Sequence, residues 1–521
     1  MTSRFRWTTL VPVPLLLALL GCPQEPADDD DATAPGAEWE ALPASIASVF
    51  EDEAADLGAS GAAVAIWLDG VLYAGTYGTR DPDGGDAIAP TTLFRIGSTT
   101  KMMTSTAALA AVDRGALAMD DAVVEHLPGL DIAGDAPFSD VTLHHLLSHT
   151  SGISEITPLD AGGSDDLLQD FTFSSFGFAG QTWMMAPAGS FWNYSNPNFA
   201  LAGAVVEAVD GRIYRDIMQE DVFGPLGMDR TLFLGQDVAE DGDFAWSDTY
   251  DWTGQTTDTI RVGAESYDHG WSRPAGFAWS SVLDMVRFGR FLLDGDEALL
   301  STASHQALVG EHANMYAYGD YGSYGYGVMH WSQWFAGNGF YDVATTEHNG
   351  AIPGYAADLI TVPGRDFVMV TLAAGDGAYF GALRQAVWED LLGAEEIDAP
   401  EPGIDPTTFA DYVGTYEDPY NVGTIQVTQN ADGDLEWELP LLDQVNVAYG
   451  TDLLPTSRGS FRVSIQNRPT SISFIAADGT QEGPARWLRH RAFVGDRQGV
   501  VTRDAAPDPA RLREALRRSA L

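Results

Sequence analysis

Lysine is almost absent from this chain. Of the 27 basic residues among 521, Lys101 is the single lysine and the other 26 are arginine. Lysine can lose its proton inside a protein, whereas arginine keeps its charge. A position that keeps lysine in an otherwise arginine-using protein is therefore a candidate for proton transfer.

Positive charge as a whole is scarce. The sequence has 75 acidic residues against 27 basic ones, a formal net charge of −48. Nucleic acids and anionic membrane surfaces repel such a chain, so neither is expected as its main partner. Solubility explains the acidity, and the expected partner is a small-molecule or short-peptide substrate.

Cysteine occurs once, at Cys22, which excludes an intrachain disulfide. Long apolar runs are also missing, because the stretch from Leu10 to Leu20 is too short to span a bilayer comfortably and contains two prolines. Arg4 and Arg6 precede it, and it ends in "LLGC". This segment resembles a bacterial lipoprotein signal, in which Cys22 would be lipidated.

The composition predicts five segments. They are a signal peptide at 1–21, an acidic Pro- and Asp-rich tether at 22–40, a main domain at 41–400, a small β domain at 405–497 and a basic tail at 498–521. The expected location is the bacterial cell envelope, at the periplasmic face or the outer membrane, with membrane contact only through a lipid on Cys22. The alternative is a plain secreted protein with an incidental thiol.

The main domain has signals for both strands and helices. Two apolar runs flank Asp69 and Gly70, a pair that readily forms a type I′ hairpin turn. "STTKMMTSTAALAAVDRG" has a helix pattern that Gly115 would end, and "FALAGAVVEAVDG" and "SSVLDMVRFGRFLL" predict further helices. "GYAADLITVPGRDFVMVTLA" predicts two strands. We expect an α/β fold with an antiparallel sheet flanked by helices and a helical insert.

After the linker "GAEEIDAPEPGIDP" the pattern changes to short alternating strands. Apolar residues recur at every second position in four runs, at 425–427, 435–439, 461–465 and 472–474. This alternation predicts a small all-β barrel or sandwich.

Ser98 stands three residues before Lys101, which places both side chains on one face of the predicted helix. Serine is a weak nucleophile that needs an adjacent base. Lysine can be that base only if burial, nearby cations or a helix N-terminus lowers its pKa well below about 10.4. This spacing predicts a serine nucleophile, although alone it is weak support.

Two further motifs add specificity. "NYSNPN" contains Tyr194 and Asn196, and "EHNGAIPGY" contains His348, Asn349 and Gly350. With these the chain resembles the serine β-lactamase-like family, on the side of class C β-lactamases, D-aminopeptidases and esterases. The family shows S-x-x-K, Y-x-N and [KH]-[TSN]-G in this order, and the likeness covers about residues 45 to 395. No G-x-S-x-G elbow occurs, which weakens the α/β-hydrolase alternative.

The resemblance implies a role for each motif residue. Ser98 would be acylated, and Lys101 and Tyr194 would share the proton transfers, with Tyr194 as the base for the incoming water. Which of the two accepts the serine proton stays open. Asn196 would hold the substrate amide or Lys101. The residues of the third motif would line the cleft, and the oxyanion hole would consist of the backbone N–H groups of Ser98 and Ala351.

His348 departs from the lysine that β-lactamases and penicillin-binding proteins have there. Histidine, with an ordinary pKa of about 6.5, is mostly neutral at pH 7, so a substrate carboxylate loses an anchor. The resemblance therefore implies an exported serine hydrolase of esters, D-amino-acid peptides or peptidoglycan-like peptides. A β-lactamase, a D-Ala-D-Ala carboxypeptidase and an acylable sensor without turnover remain alternatives.

No cofactor and no metal site is expected. His144, His145 and His149 include a helical i,i+4 pair, but the family segment "HLLSHTSG" is structural. The aromatic stretch "MYAYGDYGSYGYGVMHWSQWF" is either core or the rim of the cleft. The small β domain resembles the lipocalin-like module of some serine peptidases in this family.

Overall fold

A computed structural model describes residues 39–134, 136–155, 168, 172, 182–250, 259–316, 321–399 and 401–497. The predicted signal peptide, Cys22, most of the tether and the basic tail lie outside these residues, so what the sequence indicates for them stays a prediction. Among the described residues, no helix is long and apolar enough to cross a membrane.

The region before residue 400 contains sixteen short or long strands within the described ranges. In chain order they are β1 (Glu40–Ala41), β2 (Gly61–Leu68), β3 (Val71–Gly78), β4 (Phe94–Arg95), β5 (Ser247–Tyr250), β6 (Thr259–Val262), β7 (Trp279–Ser280), β8 (Ala313–Asn314), β9 (Gly322–Tyr324), β10 (Met329–Trp331), β11 (Trp334–Ala336), β12 (Gly339–Tyr341), β13 (Thr345–Ile352), β14 (Tyr355–Thr361), β15 (Phe367–Ala374) and β16 (Glu396–Ile397).

The helices of the same region include one long helix that follows Ser98. They are α1 (Ala44–Asp56), α2 (Thr100–Asp113), α3 (Val123–His126), α4 (Leu143–Leu147), α5 (Asn196–Asp210), α6 (Tyr214–Met218), α7 (Gly235–Asp241), α8 (Arg273–Gly276), α9 (Val282–Asp294), α10 (Thr302–Leu308) and α11 (Gly381–Ala386). Short 3₁₀ turns occur at Gly97–Thr99, Phe138–Asp140 and Gly270–Ser272, and single π turns at Gln219–Phe223 and Val387–Leu391.

One nine-stranded sheet organises this region, in the order β1-β3-β2-β15-β14-β13-β10-β9-β8. The pairings are antiparallel except for the parallel pair of β1 with β3. The β2–β3 hairpin turns at Asp69 and Gly70, both with positive φ, as the sequence predicts. One large apolar cluster packs helices α2, α5 and α9 on one face, and a second packs α1 and α11 on the other. This confirms the predicted α/β fold class.

The region after residue 400 forms an eight-stranded antiparallel sheet that nearly closes into a barrel around its own apolar core. A 3₁₀ turn (Pro406–Asp411) and a helix, α12 (Pro440–Gln444), accompany the strands β17 (Gly414–Asp418), β18 (Gly423–Gln429), β19 (Leu435–Glu438), β20 (Leu454–Ser457), β21 (Ser460–Ile465), β22 (Arg468–Ala476), β23 (Ala485–His490) and β24 (Phe493–Asp496). The strand order is β19-β18-β17-β24-β23-β22-β21-β20. The predicted β-barrel architecture is therefore confirmed.

The barrel packs against the main domain through aromatic side chains. Trp183 stacks on Tyr420 with ring centres 5.3 Å apart, and Phe191 meets Trp487 at 5.6 Å. The Tyr316 hydroxyl donates to the carbonyl of Gly479 at 2.6 Å. Together these contacts hold β23 and the β17–β18 and β22–β23 turns of the barrel against the main domain.

Candidate active site

Ser98 lies in the 3₁₀ turn that leads into α2, half-buried at the helix start. Lys101 is one turn later, and its Nζ donates to Ser98 Oγ at 3.0 Å. Gly97 before the serine has φ +53°, and a Cβ there would come within 2.6 Å of the Ala351 nitrogen. The turn therefore requires glycine both for its backbone angle and for its close approach to β13.

Lys101 is fully buried. Its Nζ also donates to Asn196 Oδ1 at 2.7 Å and to the carbonyl oxygen of Ala275. Burial lowers the pKa of Lys101 well below its usual range, Glu155 opposes that shift and Arg491 adds to it. The sequence required a lysine that could become neutral, and this environment favours the neutral amine.

Tyr194 reaches the same serine from the other side. Its hydroxyl donates to Ser98 Oγ at 2.8 Å, and Lys101 Nζ lies 4.9 Å from its ring centre. Burial raises the pKa of Tyr194 above its usual value. The neutral phenol is therefore the stable form. Tyr194 thus suits the relay of a proton better than the role of a base that is ionised before the reaction.

His348 projects from β13 and is buried. Its Nδ1–H donates to the Asn349 carbonyl at 2.6 Å, so Nε2 accepts from the Tyr324 hydroxyl at 3.1 Å. Burial lowers the pKa of His348 to about 3, and Lys101 adds to that shift. The imidazole is therefore neutral at pH 7.

The rest of the third motif brings β13 against the serine turn. A Cβ at Gly350 would lie 2.0 Å from the Ile96 carbonyl oxygen and 3.0 Å from the Ser98 nitrogen. The next residue, Ala351, borders the same cavity as Ser98. The structure thus brings together the two backbone N–H groups that the sequence predicts as an oxyanion hole. Asn349, between His348 and Gly350 on β13, is exposed on the opposite face of the strand and also borders the cavity.

A cavity of about 460 Å³ opens beside these residues. Part of its lining is apolar, and four residues of the aromatic stretch 315–335 contribute to it. The large apolar side chains of the lining are Trp192, Phe277, Met315, Met329, Trp331 and Trp334. The cavity therefore suits a substrate with an apolar group near the reacting bond.

Sequence reasoning missed several charged residues around this site, among them two arginines and a glutamate close to Tyr194 and Asn196. Arg489 and Arg491, from the end of β23 and the turn after it, line the cavity. Arg491 lies over the Tyr194 ring at 4.7 Å, and Arg489 lies over the Trp192 ring at 4.9 Å. Glu155 accepts from both the backbone and the side-chain nitrogen of Asn196. The closely spaced arginines of "ARWLRHRAFV", in a chain poor in basic residues, were the available signal.

The histidines in and just before the "HLLSHTSG" segment have different neighbours. His144 Nδ1 contacts the Tyr326 hydroxyl at 2.8 Å, whereas His149 packs its ring 4.4 Å from that of Tyr194. Across the described ranges, no group of three or more His, Cys, Asp or Glu side chains could hold a metal ion.

The antiparallel sheet with flanking helices, and a serine, lysine and tyrosine that meet at one oxygen, define a β-lactamase-like serine hydrolase fold and site. Residues 46–392 match the family model described as Beta-lactamase. The chain therefore belongs to the beta-lactamase family.

Relatives and solved structures agree with this assignment. The chain is 28% identical over 362 residues to penicillin-binding protein 4 of Amycolatopsis lactamdurans, covering 68% of this chain and 93% of that protein. It is 26% identical over 377 residues to protein flp of Staphylococcus aureus strain MW2, covering 71% and 68%.

Three solved structures share the fold. SurE matches with a TM-score of 0.64 and 23% identity, covering 87% of this chain and 98% of SurE. The octameric penicillin-binding protein homologue from Pyrococcus abyssi matches with a TM-score of 0.58 and 20% identity, covering 87% and 99%. A D-stereospecific amidohydrolase from Streptomyces matches with a TM-score of 0.52 and 24% identity, covering 67% of this chain and 98% of the amidohydrolase.

Proposed function

We propose that this chain is an exported serine hydrolase that cleaves ester or amide bonds of small substrates through an acyl-enzyme on Ser98. One observation carries the proposal: Lys101 Nζ and the Tyr194 hydroxyl lie 3.0 and 2.8 Å from Ser98 Oγ. D-amino-acid peptides and peptidoglycan-like peptides are candidate substrates, supported by the names of the amidohydrolase and penicillin-binding relatives.

In this mechanism neutral Lys101 accepts the Ser98 proton as Oγ attacks the carbonyl carbon. The lowered pKa of Lys101 and the raised pKa of Tyr194 both favour the lysine as that base. Charge that develops on the carbonyl oxygen meets the N–H groups of Ser98 and Ala351. Tyr194 donates its hydroxyl proton to the leaving group and regains a proton from Lys101. A water that gives its proton to the same pair then attacks the acyl-enzyme, and Ser98 Oγ recovers a proton as the acid leaves.

The walls of the cavity suggest the substrate class. The neutral His348 gives a carboxylate no charge at the position where the family more often has lysine. The large apolar side chains of the lining favour an acyl or side-chain group without charge. Short esters and D-amino-acid amides are therefore the first candidates.

A second candidate is a substrate with a carboxylate, such as a β-lactam or a D-Ala-D-Ala peptide. The observation that favours it is the pair Arg489 and Arg491 at the cavity wall. Arg491 keeps 24% of its side chain exposed, so it has access to an anionic group. A guanidinium binds a carboxylate through two parallel hydrogen bonds.

The test is a substrate panel with the purified protein and a Ser98→Ala control. The panel contains short acyl esters, D-amino-acid amides, D-Ala-D-Ala peptides and a chromogenic cephalosporin. We expect Ser98-dependent ester cleavage and weak or absent cephalosporin turnover. Efficient cephalosporin turnover without esterase activity would favour the β-lactamase alternative, and acylation without turnover would favour a sensor.

Export through a lipid on Cys22 is part of the proposal. The support is the basic start, the short apolar stretch and the "LLGC" ending. Fractionation of cells that express the full chain or Cys22→Ala tests it. Membrane association that survives the substitution would contradict the lipid anchor.

A further inference from the structure

Glu155 is a buried carboxylate beside the reacting groups, with 2% of its side chain exposed. It follows the "HTSGIS" segment, and none of the motifs includes it. Its Oε2 accepts from the backbone N–H of Asn196 at 2.6 Å, and its Oε1 accepts from Asn196 Nδ2 at 2.9 Å. One carboxylate therefore holds one residue by two bonds.

These two bonds settle the orientation of the Asn196 side chain. An ionised carboxylate only accepts hydrogen bonds, so the amide nitrogen of Asn196 must face Glu155. The amide oxygen then faces Lys101, whose Nζ donates to it at 2.7 Å. The same Nζ donates to Ser98 Oγ at 3.0 Å. A chain of hydrogen bonds therefore runs from Glu155 through the Asn196 amide and the Lys101 amine to Ser98.

The position on the helix reinforces this arrangement. Asn196 is the first residue of α5, where backbone N–H groups lack partners within the helix and the helix dipole favours a negative charge. On its other side, Glu155 Oε1 lies 3.8 Å from Arg491 Nη2 in the turn after β23. Glu155 therefore stands between the start of α5 and the barrel.

We propose that Glu155 is a positioning residue that orients Asn196 and, through it, the Lys101 amine toward Ser98. This inference rests on the proposed function. In the same proposal Arg491, which belongs to the barrel, places a positive charge opposite Glu155. If Glu155 were only a cap for α5, its removal would change stability without changing the proton chemistry of Lys101.

The two charged neighbours of Lys101 shift its pKa in opposite directions. The carboxylate of Glu155 raises the pKa of Lys101, whereas burial and Arg491 lower it. The other titratable groups that face the amine are the neutral or weakly basic side chains of Tyr194, His149 and His348. Since Lys101 must be neutral to accept a proton, acylation rises with pH through its pKa.

The experiment measures acylation of Ser98 by p-nitrophenyl acetate between pH 5 and 9, because this neutral ester needs no carboxylate anchor. We expect Glu155→Gln to move the acidic limb of the profile to lower pH. Arg491→Gln leaves α5 intact and should move the limb to higher pH. Glu155→Ala should lower kcat about 10²-fold with little change in KM, since a small misplacement of a catalytic group has that effect.

Glu207→Gln is the matched control. Glu207 is also buried and accepts two backbone N–H bonds, from Leu168 and Tyr214, but it does not border the cavity. Its substitution should lower Tm and leave the pH profile unchanged. A wild-type kcat for Glu155→Ala, or a Glu155→Gln profile that coincides with wild type, would overturn the positioning role. If neither variant folds, Glu155→Asp decides, because it keeps the charge and shortens the reach to Asn196, and a wild-type kcat for it would overturn the role. If the wild type shows no Ser98-dependent acylation, the proposed function itself fails.

Discussion

The guanidinium carbon of Arg491 lies 4.7 Å from the ring centre of Tyr194, whose hydroxyl donates to Ser98 Oγ. Arg491 belongs to the C-terminal barrel and Tyr194 to the main domain. The barrel therefore contacts a hydrogen-bond partner of the nucleophile and lines the same cavity as Ser98, so it is more than an appendage to the catalytic region.

Removal of residues 401–521 tests this relationship. The main domain has its own large core, so we expect the fragment to fold. It should have a lower Tm and bind a hydrophobic dye, because Trp183 and Phe191 lose their partners Tyr420 and Trp487. Its preference for substrate size should also change.

Thermal melts and kinetics on a series of acyl esters of increasing length measure both effects. A fragment with the Tm and the chain-length profile of the full protein would show that the barrel is independent of the site.

Gly350→Ala should strongly slow the acylation of Ser98. The added Cβ would lie 2.0 Å from the Ile96 carbonyl oxygen, so β13 must move away from the Ser98 turn. We expect a fall in acylation rate of about 10²-fold or more, since the oxyanion donors separate. A serine-reactive probe followed by intact mass measures it.

Gly381→Ala is the control for that substitution. A Cβ at Gly381 meets its nearest atoms at 3.5 Å, an ordinary contact. It should leave labelling unchanged. Equal labelling of both variants would mean that β13 and the serine turn need not approach closely.

The free energy of unfolding should decrease as pH falls below about 6.5, the ordinary pKa of histidine. His490 is buried, accepts from the Ala492 N–H and contacts Thr470 Oγ1. Burial, with Arg489 and Arg491, lowers its pKa to about 3. The unfolded chain takes up this proton below about pH 6.5, so the contribution is complete above that pH and is lost as pH falls toward 3.

His490→Gln should reduce the pH dependence of the free energy of unfolding, by up to about 1.4 kcal/mol for each pH unit between 6.5 and 3. Urea unfolding of the variant and the wild type at pH 7, 5.5 and 4.5 measures the two slopes. Parallel slopes would mean that His490 carries a proton in the folded state.

Local features of the fold were predictable from sequence because they depend on neighbours in the chain. Asp69 and Gly70 form their turn by backbone preference, and Ser98 and Lys101 share a helix face by spacing. The environment of Lys101 depends on distant segments, since Glu155 is 41 residues from Asn196 and Arg489 contacts Asn193 across 296 residues. No local pattern encodes those contacts, so only the folded chain shows that the barrel's arginines and Glu155 lie beside the site.

The most direct test of the account is the time course of fluorophosphonate labelling of Lys101→Arg, beside Ser98→Ala as the zero. Arginine stays protonated and cannot accept a proton, and its larger head must fit among three acceptors in a fully buried site. We expect a folded variant with a lower Tm, because overpacking typically costs roughly 1–3 kcal/mol, and a labelling rate reduced about 10²–10⁴-fold. Labelling of Lys101→Arg at the wild-type rate would contradict the assignment of Lys101 to the chemistry.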